Sequence, residues 1–326
     1  AGRLHVALDK YRGEREKKTV SVDTSGSAKL EDLKVSILTP TGQSEIDLNL
    51  TDLKARYDAL ALHKTPEYTE AEGQLRLGVS GLDTKLGNIL MLVAKEGAAT
   101  LSKVHSRRES KSISVDVTGA VDLSHTKMAF PDENSENALD VTARAFRADF
   151  LEFKTNSEAG RTKLRGPIKA HASEMAINAP EGLKTLKLKA GALIASLPEF
   201  RTDFGEERSF MDIVGTANLE KVDVLIPDSQ GRPQIDGAAA SLDLSAKEFA
   251  ARLGKQSQWR STLEANAQKL SIGLNEGAAG TMRVKDLAAK GIKVDQSLAI
   301  ALNELTLAGV DAHILDLGKN ADLRVN

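Results

Sequence analysis

Apolar and polar residues alternate along most of this chain, the period-two pattern of a strand with one covered face. The alternation recurs in one form: a short apolar run at every second position, a step of three, then alternation again. Ile46, Leu48 and Leu50 step to Leu53, Ala55 and Tyr57. Ile168, Ala170 and Ala172 step to Met175 and Ile177, and Leu186, Leu188 and Ala190 step to Leu193, Ala195 and Leu197. The same figure joins Leu219 to Val222 and Val224, Leu242, Leu244 and Ala246 to Phe249, and Leu263, Ala265 and Ala267 to Leu270 and Ile272. Near the end Leu298, Ile300 and Leu302 step to Leu305 and Leu307, which step again to Val310. Weaker copies begin at Ala28 and Leu75.

The step residues are Thr51-Asp52, Ser173-Glu174, Glu220-Lys221, Gln268-Lys269 and Asn303-Glu304. None is an Asn-Gly or Asp-Gly pair of the kind a two-residue hairpin requires. A β-bulge is the better expectation, since two residues against one keep the apolar set on one face while bending the strand. Pro40-Thr41-Gly42, Pro131 to Asn137, Pro180-Glu181-Gly182, Pro227 to Pro233 and Asn275 to Gly280 punctuate the units. The units recur roughly every 20 to 25 residues, a repeat of pattern rather than of letters. One stretch differs: from Asp83 to Gly97, Leu86, Ile89, Leu90 and Val93 fall at helical spacing, with Thr84 as N-cap and Gly97 past the end. The spacing predicts a short helix there; Lys247 to Gly254 is ambiguous and reads as strand. The expected fold is therefore all-β with one or two short helices: a long, strongly curved antiparallel sheet forming an open apolar groove, with a β-sandwich or a β-solenoid as alternatives. Residues 1–326 read as one elongated β body, with a sub-boundary near 83–110.

Composition sharpens this. Hydrophobic residues make up 41% of 326, enough for a folded chain, but aromatics only 4%. The apolar face is built of Leu, Val, Ile and Ala, and small side chains leave space that large aromatics would fill. With one Trp and three Tyr the chain lacks the aromatic girdles of an outer-membrane barrel. No run of about 18 apolar residues offers a membrane-spanning helix. The formal net charge of −2 gives no field that gathers nucleic acid. The absence of Cys removes disulfides and thiolate chemistry. The chain opens on Ala1 rather than Met, and reads as a processed protein or a piece of a longer one.

Candidate chemistry is sparse. His5, His63, His105, His125, His171 and His313 stand apart at no metal-ligand spacing. No phosphate-binding glycine loop or nucleophile elbow occurs, and neither Asp132, Glu133 and Glu136 nor Glu206-Glu207-Arg208 matches a calcium loop. No catalytic, metal or cofactor site is expected. Two basic clusters remain: Lys103, His105, Arg107, Arg108 and Lys111, and Arg161, Lys163, Arg165 and Lys169. Both suit a solvated strand edge that resists aggregation, and both could meet anionic headgroups.

Runs such as Ile46 to Tyr57, Leu186 to Leu197 and Leu298 to Ile314 resemble the strands of AsmA-like proteins of the Gram-negative envelope, relatives of TamB and of the eukaryotic bridge-like lipid-transfer proteins. The likeness is one of strand texture and covers most of the chain outside about residues 83–110. It implies a long groove lined with apolar side chains, a periplasmic location and passive transfer of phospholipid or another acyl lipid, with a membrane at one or both ends and further copies or a longer parent chain as partners. The family's N-terminal anchor is absent from this sequence, which suits a soluble fragment of an inner-membrane-anchored protein. The expected lining is Leu48, Leu50, Leu53, Ile168, Met175, Ile177, Leu186, Leu188, Leu193, Leu219, Val222, Val224, Leu242, Leu244, Leu263, Leu270, Ile272, Ile300, Leu302, Leu305 and Leu307. Arg107, Arg108, Lys163 and Arg165 are the expected headgroup contacts. The competing functional expectations are a structural or adhesive β-solenoid and an outer-membrane protein assembly factor.

Overall fold

The computed structural model describes residues 3–16, 18–38, 44–86, 90–132, 135–158, 161–178, 186–204, 209–227, 233–253, 258–274, 279–295, 300–316 and 319–325. The period-two pattern becomes strand throughout: β1 (Leu4–Glu16), β2 (Thr19–Leu38), β3 (Ser44–Lys64), β4 (Thr69–Leu86), β5 (Leu90–Arg108), β6 (Ser112–Asp132), β7 (Ser135–Glu158), β8 (Arg161–Arg165), β9 (Ile168–Asn178), β10 (Lys187–Phe204), β11 (Ser209–Pro227), β12 (Pro233–Leu253), β13 (Gln258–Leu274), β14 (Ala279–Asp295), β15 (Ile300–Ala301), β16 (Glu304–Asp316) and β17 (Lys319–Val325). All pair antiparallel in one sheet. Each strand follows its predecessor in space, a plain meander, with two interruptions. β8 and β9 share one position between β7 and β10, broken at Gly166-Pro167, where Pro167 has no N–H for the ladder. β15 and β16 likewise share one position beside β14. Among the described residues no pairing joins β1 to β17, there is no second sheet, and the strands are antiparallel where a solenoid's would be parallel.

The short helix expected at 83–97 is not formed. Asp83 to Leu86 end β4, Leu90 to Gly97 begin β5, and the ladders of β5 continue to Arg108. The helical spacing has two sources. Leu86 and Leu90 are directly paired partners flanking a hairpin connection, so their separation of four belongs to the turn. Val93 and Met91 lie on the face opposite Leu92 and Ala94, so this strand is apolar on both sides. Lys247 to Leu253 is strand, as read. Pro131 and Asp132 belong to β6 and Ser135 to Asn137 to β7, while Pro40-Thr41-Gly42, Pro180-Glu181-Gly182, 228–232 and 275–278 lie outside the described residues.

The step from Ala246 to Phe249 coincides with a register shift of the expected kind, but most of the steps of three have a different cause. Across Ser173-Glu174 the register passes from Ala192↔Ser173 to Ala190↔Met175 without gaining a residue, so no bulge sits there. Instead Glu174 has a positive φ of 48°. A residue in that conformation breaks the pleat, and the strand resumes alternation one position out of phase; Ala172 and Met175 are both buried on the same face. Lys221 and Lys269 do the same, each with φ 52°. At Thr51 the positive φ belongs to its neighbours on either side, Asp32 (51°) and Gly81 (59°). These positions align: Asp32, Gly81, His125, Glu174, Lys221, Lys269 and Gly309 form one line across β2, β4, β6, β9, β11, β13 and β16, every second position of the sheet.

True bulges exist on a second line, about seven residues away or roughly 23 Å along the strands. Register shifts occur at Leu8/Lys10, Asp58/Ala61, Leu101/Lys103, Ser196/Glu199, Ala246/Glu248 and Leu263/Ala265. The Asn303-Glu304 step belongs to this line, beside Gly291, whose positive φ of 62° and the close approach of the Asn303 side chain both favour a residue without a Cβ.

Candidate functional site

Cross-strand partners share a face, so the ladders can be read as rows. Beside the positive-φ line runs Leu4, Leu30, Leu53, Val79, Gly97, Leu123, Phe146, Ala172, Leu193, Leu219, Leu242, Ala267, Leu287 and Leu307, apolar at every position from β1 to β16. The next row toward the bulges is Val6, Ala28, Ala55, Leu77, Ala99, Val121, Ala148, Ala170, Ala195, Ala217, Leu244, Ala265, Ala289 and Leu305, mostly alanine. Across the positive-φ line on the same face lie Leu50, Ala94, Thr126, Ala143, Met175, Ala190, Val222 and Val284, all buried, and beyond them Leu48, Leu92, Met128, Val141, Ile177, Leu188, Val224 and Ile272. The apolar core cluster, Met175, Ala190, Leu219 and Val222 with Ile177, Leu188, Leu193 and Val224 packed against it, belongs to this face.

The opposite face is charged. Arg147 bonds Asp149 (2.8 Å) two residues along its own strand and Asp122 (3.1 Å) on the neighbouring one, which raises its guanidinium pKa, and Arg144 pairs with Glu174 at 2.6 Å. Lys29 pairs with Glu31 and holds that carboxyl below its ordinary range.

No strand packs closely against any but its bonded neighbours among the described residues. The chain exposes 21242 Å², against roughly 13,000 Å² for a compact monomer of its mass. Most residues of the apolar rows are only part-buried.

The expected lining residues fall mainly on this face. Ile168 and Leu263 lie by the bulges, and Leu305 and Leu307 in the last full rows. Leu186 immediately precedes β10, and Ile300 pairs with Val294. Leu302 is the exception: it occupies the gap between β15 and β16, exposed and in no row. The sequence reading passed over Val141, Ala143, Phe146, Ala148 and Phe150, which carry the same step, and over Leu123, whose strand is interrupted by Thr126.

Arg107, Arg108, Lys163 and Arg165 come to one rim of the sheet. Arg107, Ser114, Asn156 and Lys163 share a row, placing Arg107 and Lys163 three strand spacings apart, roughly 14 Å. Arg107 stacks 4.4 Å over the Tyr68 ring and bonds Glu109 at 3.1 Å. In the same corner the His105 hydrogen bond to Glu70 (2.6 Å) lowers the Glu70 pKa. Arg161 is tied to the buried Asp203 at 2.7 Å. Arg165 directly faces Lys154 and Arg201 across the strands, three like charges in a row.

Three surface depressions, of about 510, 520 and 220 Å³, border none of the expected lining residues; the smallest includes Arg165. No cluster of metal-ligating side chains occurs among the described residues. Asp132, Glu133 and Glu136, and Glu206 to Arg208, have no described side chains. Compared with family models, curated proteins and solved structures, the chain matches none.

Proposed function

We propose that this chain binds acyl lipids, phospholipids in particular, along an open apolar groove and lets them pass along it without catalysis. The observation that carries the reading is the pair of unbroken apolar rows on one face of a single sheet, with no second sheet among the described residues. The two lines of backbone irregularity supply the curvature: every second strand is turned at the positive-φ line and the ladders shift again at the bulges, leaving an alanine-rich floor between aliphatic walls. Each buried CH₂ contributes about 0.8 kcal/mol, so a two-chain lipid is held firmly. The rows contain few polar side chains to fix its position: Thr126 is buried, and Thr84, between Leu48 and Leu92, spends its hydroxyl on the Asp47 carbonyl, so the lipid slides. Arg107, Arg108, Lys163 and Arg165 would meet phosphate headgroups at the rim. Periplasmic location, an inner-membrane anchor in a longer parent chain and membranes at the ends belong to the same reading, which rests on strand texture for them.

The test is purification without detergent, organic extraction and lipid mass spectrometry. Phospholipid in stoichiometric amount is expected. Lipid-free protein that also takes up no fluorescent phospholipid from vesicles overturns the proposal.

A further inference from the structure

The depression of about 520 Å³ lies over β2, β3 and β4. On each of these strands it is bordered by a residue of the apolar face, Ala28, Ala55 or Leu77, and by that residue's two neighbours, so it opens between two rows of the charged face. One row runs Lys29, Lys54, Gly78 and the other Ser27, Arg56, Arg76. Lys54 directly faces Lys29, and Arg56 directly faces Arg76. Like charges placed directly opposite destabilise a sheet. Farther along the same two rows the charges are matched: Asp122 faces Arg147, and Asp149 faces Lys169. Over β2–β4 neither row holds an acid. Lys29 is taken up by Glu31, and Arg56 keeps a 3.4 Å contact with Asp58. Lys54 and Arg76 are exposed and have no ion pair among the described residues. Between them Gly78 leaves an open corner, since a Cβ there would meet no atom within 4 Å.

We infer that Lys54, Arg56 and Arg76 form a binding site for a ligand carrying one or two phosphate groups. Their Cβ atoms make a small triangle: Arg56 and Arg76 are about 5 Å apart, and Lys54 is about 7 Å from both. Stems as long as these converge on one phosphate or a diphosphate. Two guanidinium forks side by side offer paired N–H donors to phosphate oxygens, and the ammonium adds a point charge. The depression has the size of a small-ligand site, about 300–1,000 Å³. A phosphate seated over Gly78 removes the repulsion that the empty sheet carries, so the arrangement that costs stability is the one that binds. The site lies on the face opposite the apolar rows. A lipid in those rows cannot bring its own headgroup through the sheet to it, and the inference stands whether or not the rows hold lipid. The phosphate comes either from a soluble ester or diphosphate or from the headgroups of a membrane lying against the charged face.

The test uses the 326-residue chain at one ionic strength. Inorganic pyrophosphate is the soluble probe, and phosphatidylcholine vesicles with and without phosphatidic acid are the membrane probe. Calorimetry should show saturable pyrophosphate binding. Arg56→Gln/Arg76→Gln should weaken it at least about tenfold, with the unfolding midpoint unchanged or raised because a like-charge pair is gone. Gly78→Glu places a carboxylate in the open corner beside Lys54 and Arg76. It should abolish binding and raise the unfolding midpoint, a combination that misfolding cannot produce. Arg144→Gln/Arg260→Gln removes the same charge from two exposed arginines tied to Glu174 and Glu248, and should leave the affinity within about twofold. If pyrophosphate does not bind, but phosphatidic acid increases vesicle binding with the same dependence on the three variants, the phosphate is a headgroup. Binding of neither probe, equal losses in the two double variants, or Gly78→Glu binding as well as the unmodified chain overturns the inference.

Discussion

At the scale of single residues, the backbone conformation along the positive-φ line is the sharpest determinant. An L-residue in that region costs roughly 1–2 kcal/mol, and five of the seven aligned positions, Asp32, His125, Glu174, Lys221 and Lys269, are not glycine. Replacing Lys221 by Gly should leave stability unchanged or raise it by up to about 1 kcal/mol, while Lys221→Val, with a branched Cβ, should lower it by at least about 1–2 kcal/mol; chemical unfolding of the two variants checks the sign. Thr126 is a second such site. Its hydroxyl is buried on the apolar face with no partner, and an unpaired buried hydroxyl costs about 1–3 kcal/mol. Thr126→Val keeps the shape and should stabilise by about 1 kcal/mol in the same measurement. Glu70 gives the pH-dependent case. Its hydrogen bond with His105 depresses the folded-state pKa. Its contribution is therefore complete above the unfolded carboxyl's pKa and is lost as pH falls through the lower folded value. A carbon-detected titration should place Glu70 below ordinary glutamates, and His105→Leu should return it to them.

At the scale of the strand, packing decides what the conformation permits. Leu219 sits with Met175, Ala190 and Val222 where the positive-φ line brings β9, β10 and β11 together. Leu219→Ala should cost about 2–4 kcal/mol, whereas the exposed Leu302, outside every row, should tolerate Ala at below about 0.5 kcal/mol. The contrast in unfolding free energy tests whether the rows or mere hydrophobicity hold the sheet. Strands, their shared face and the places where alternation slips were legible in the sequence, because side-chain period is a local property. The mechanism of the slip was not. Glu174, Lys221 and Lys269 carry no signature of positive φ, and two residues against two look the same in one strand as two against one; only the partner strand distinguishes them. The false helix at 83–97 has a related origin. Hairpin partners Leu86 and Leu90 imitate helical neighbours when the turn between them is short. The rim that Arg107 and Lys163 share was invisible for a plainer reason, since alignment of hairpin tips depends on the summed register of four strands.

At the scale of the whole molecule, the proposed function makes a demand that binding alone does not. Thirteen strand spacings separate Val6 from Leu305 along the alanine-rich row, roughly 60 Å, about three times the length of a long acyl chain. A lipid that merely binds needs only part of this track, but a lipid that is conveyed needs all of it. A single charge near the middle separates the two. Ala170 lies on the floor, flanked by Ala148 and Ala195, and Ala170→Asp places a carboxylate there with no cation on the same face beside it. An acyl chain passing it must give up contacts worth about 0.8 kcal/mol per CH₂ or drag the charge from water. A loss of only two methylene contacts already slows passage about tenfold. The expected result is that transfer of labelled phospholipid between two vesicle populations falls at least about tenfold, while extracted lipid per chain stays above about half, because the rows on either side remain intact. Lys169→Asp, one residue away on the charged face, should leave both readings unchanged. Equal transfer by the Ala170→Asp and unmodified chains would show that lipid does not travel along these rows, whatever amount is bound to them.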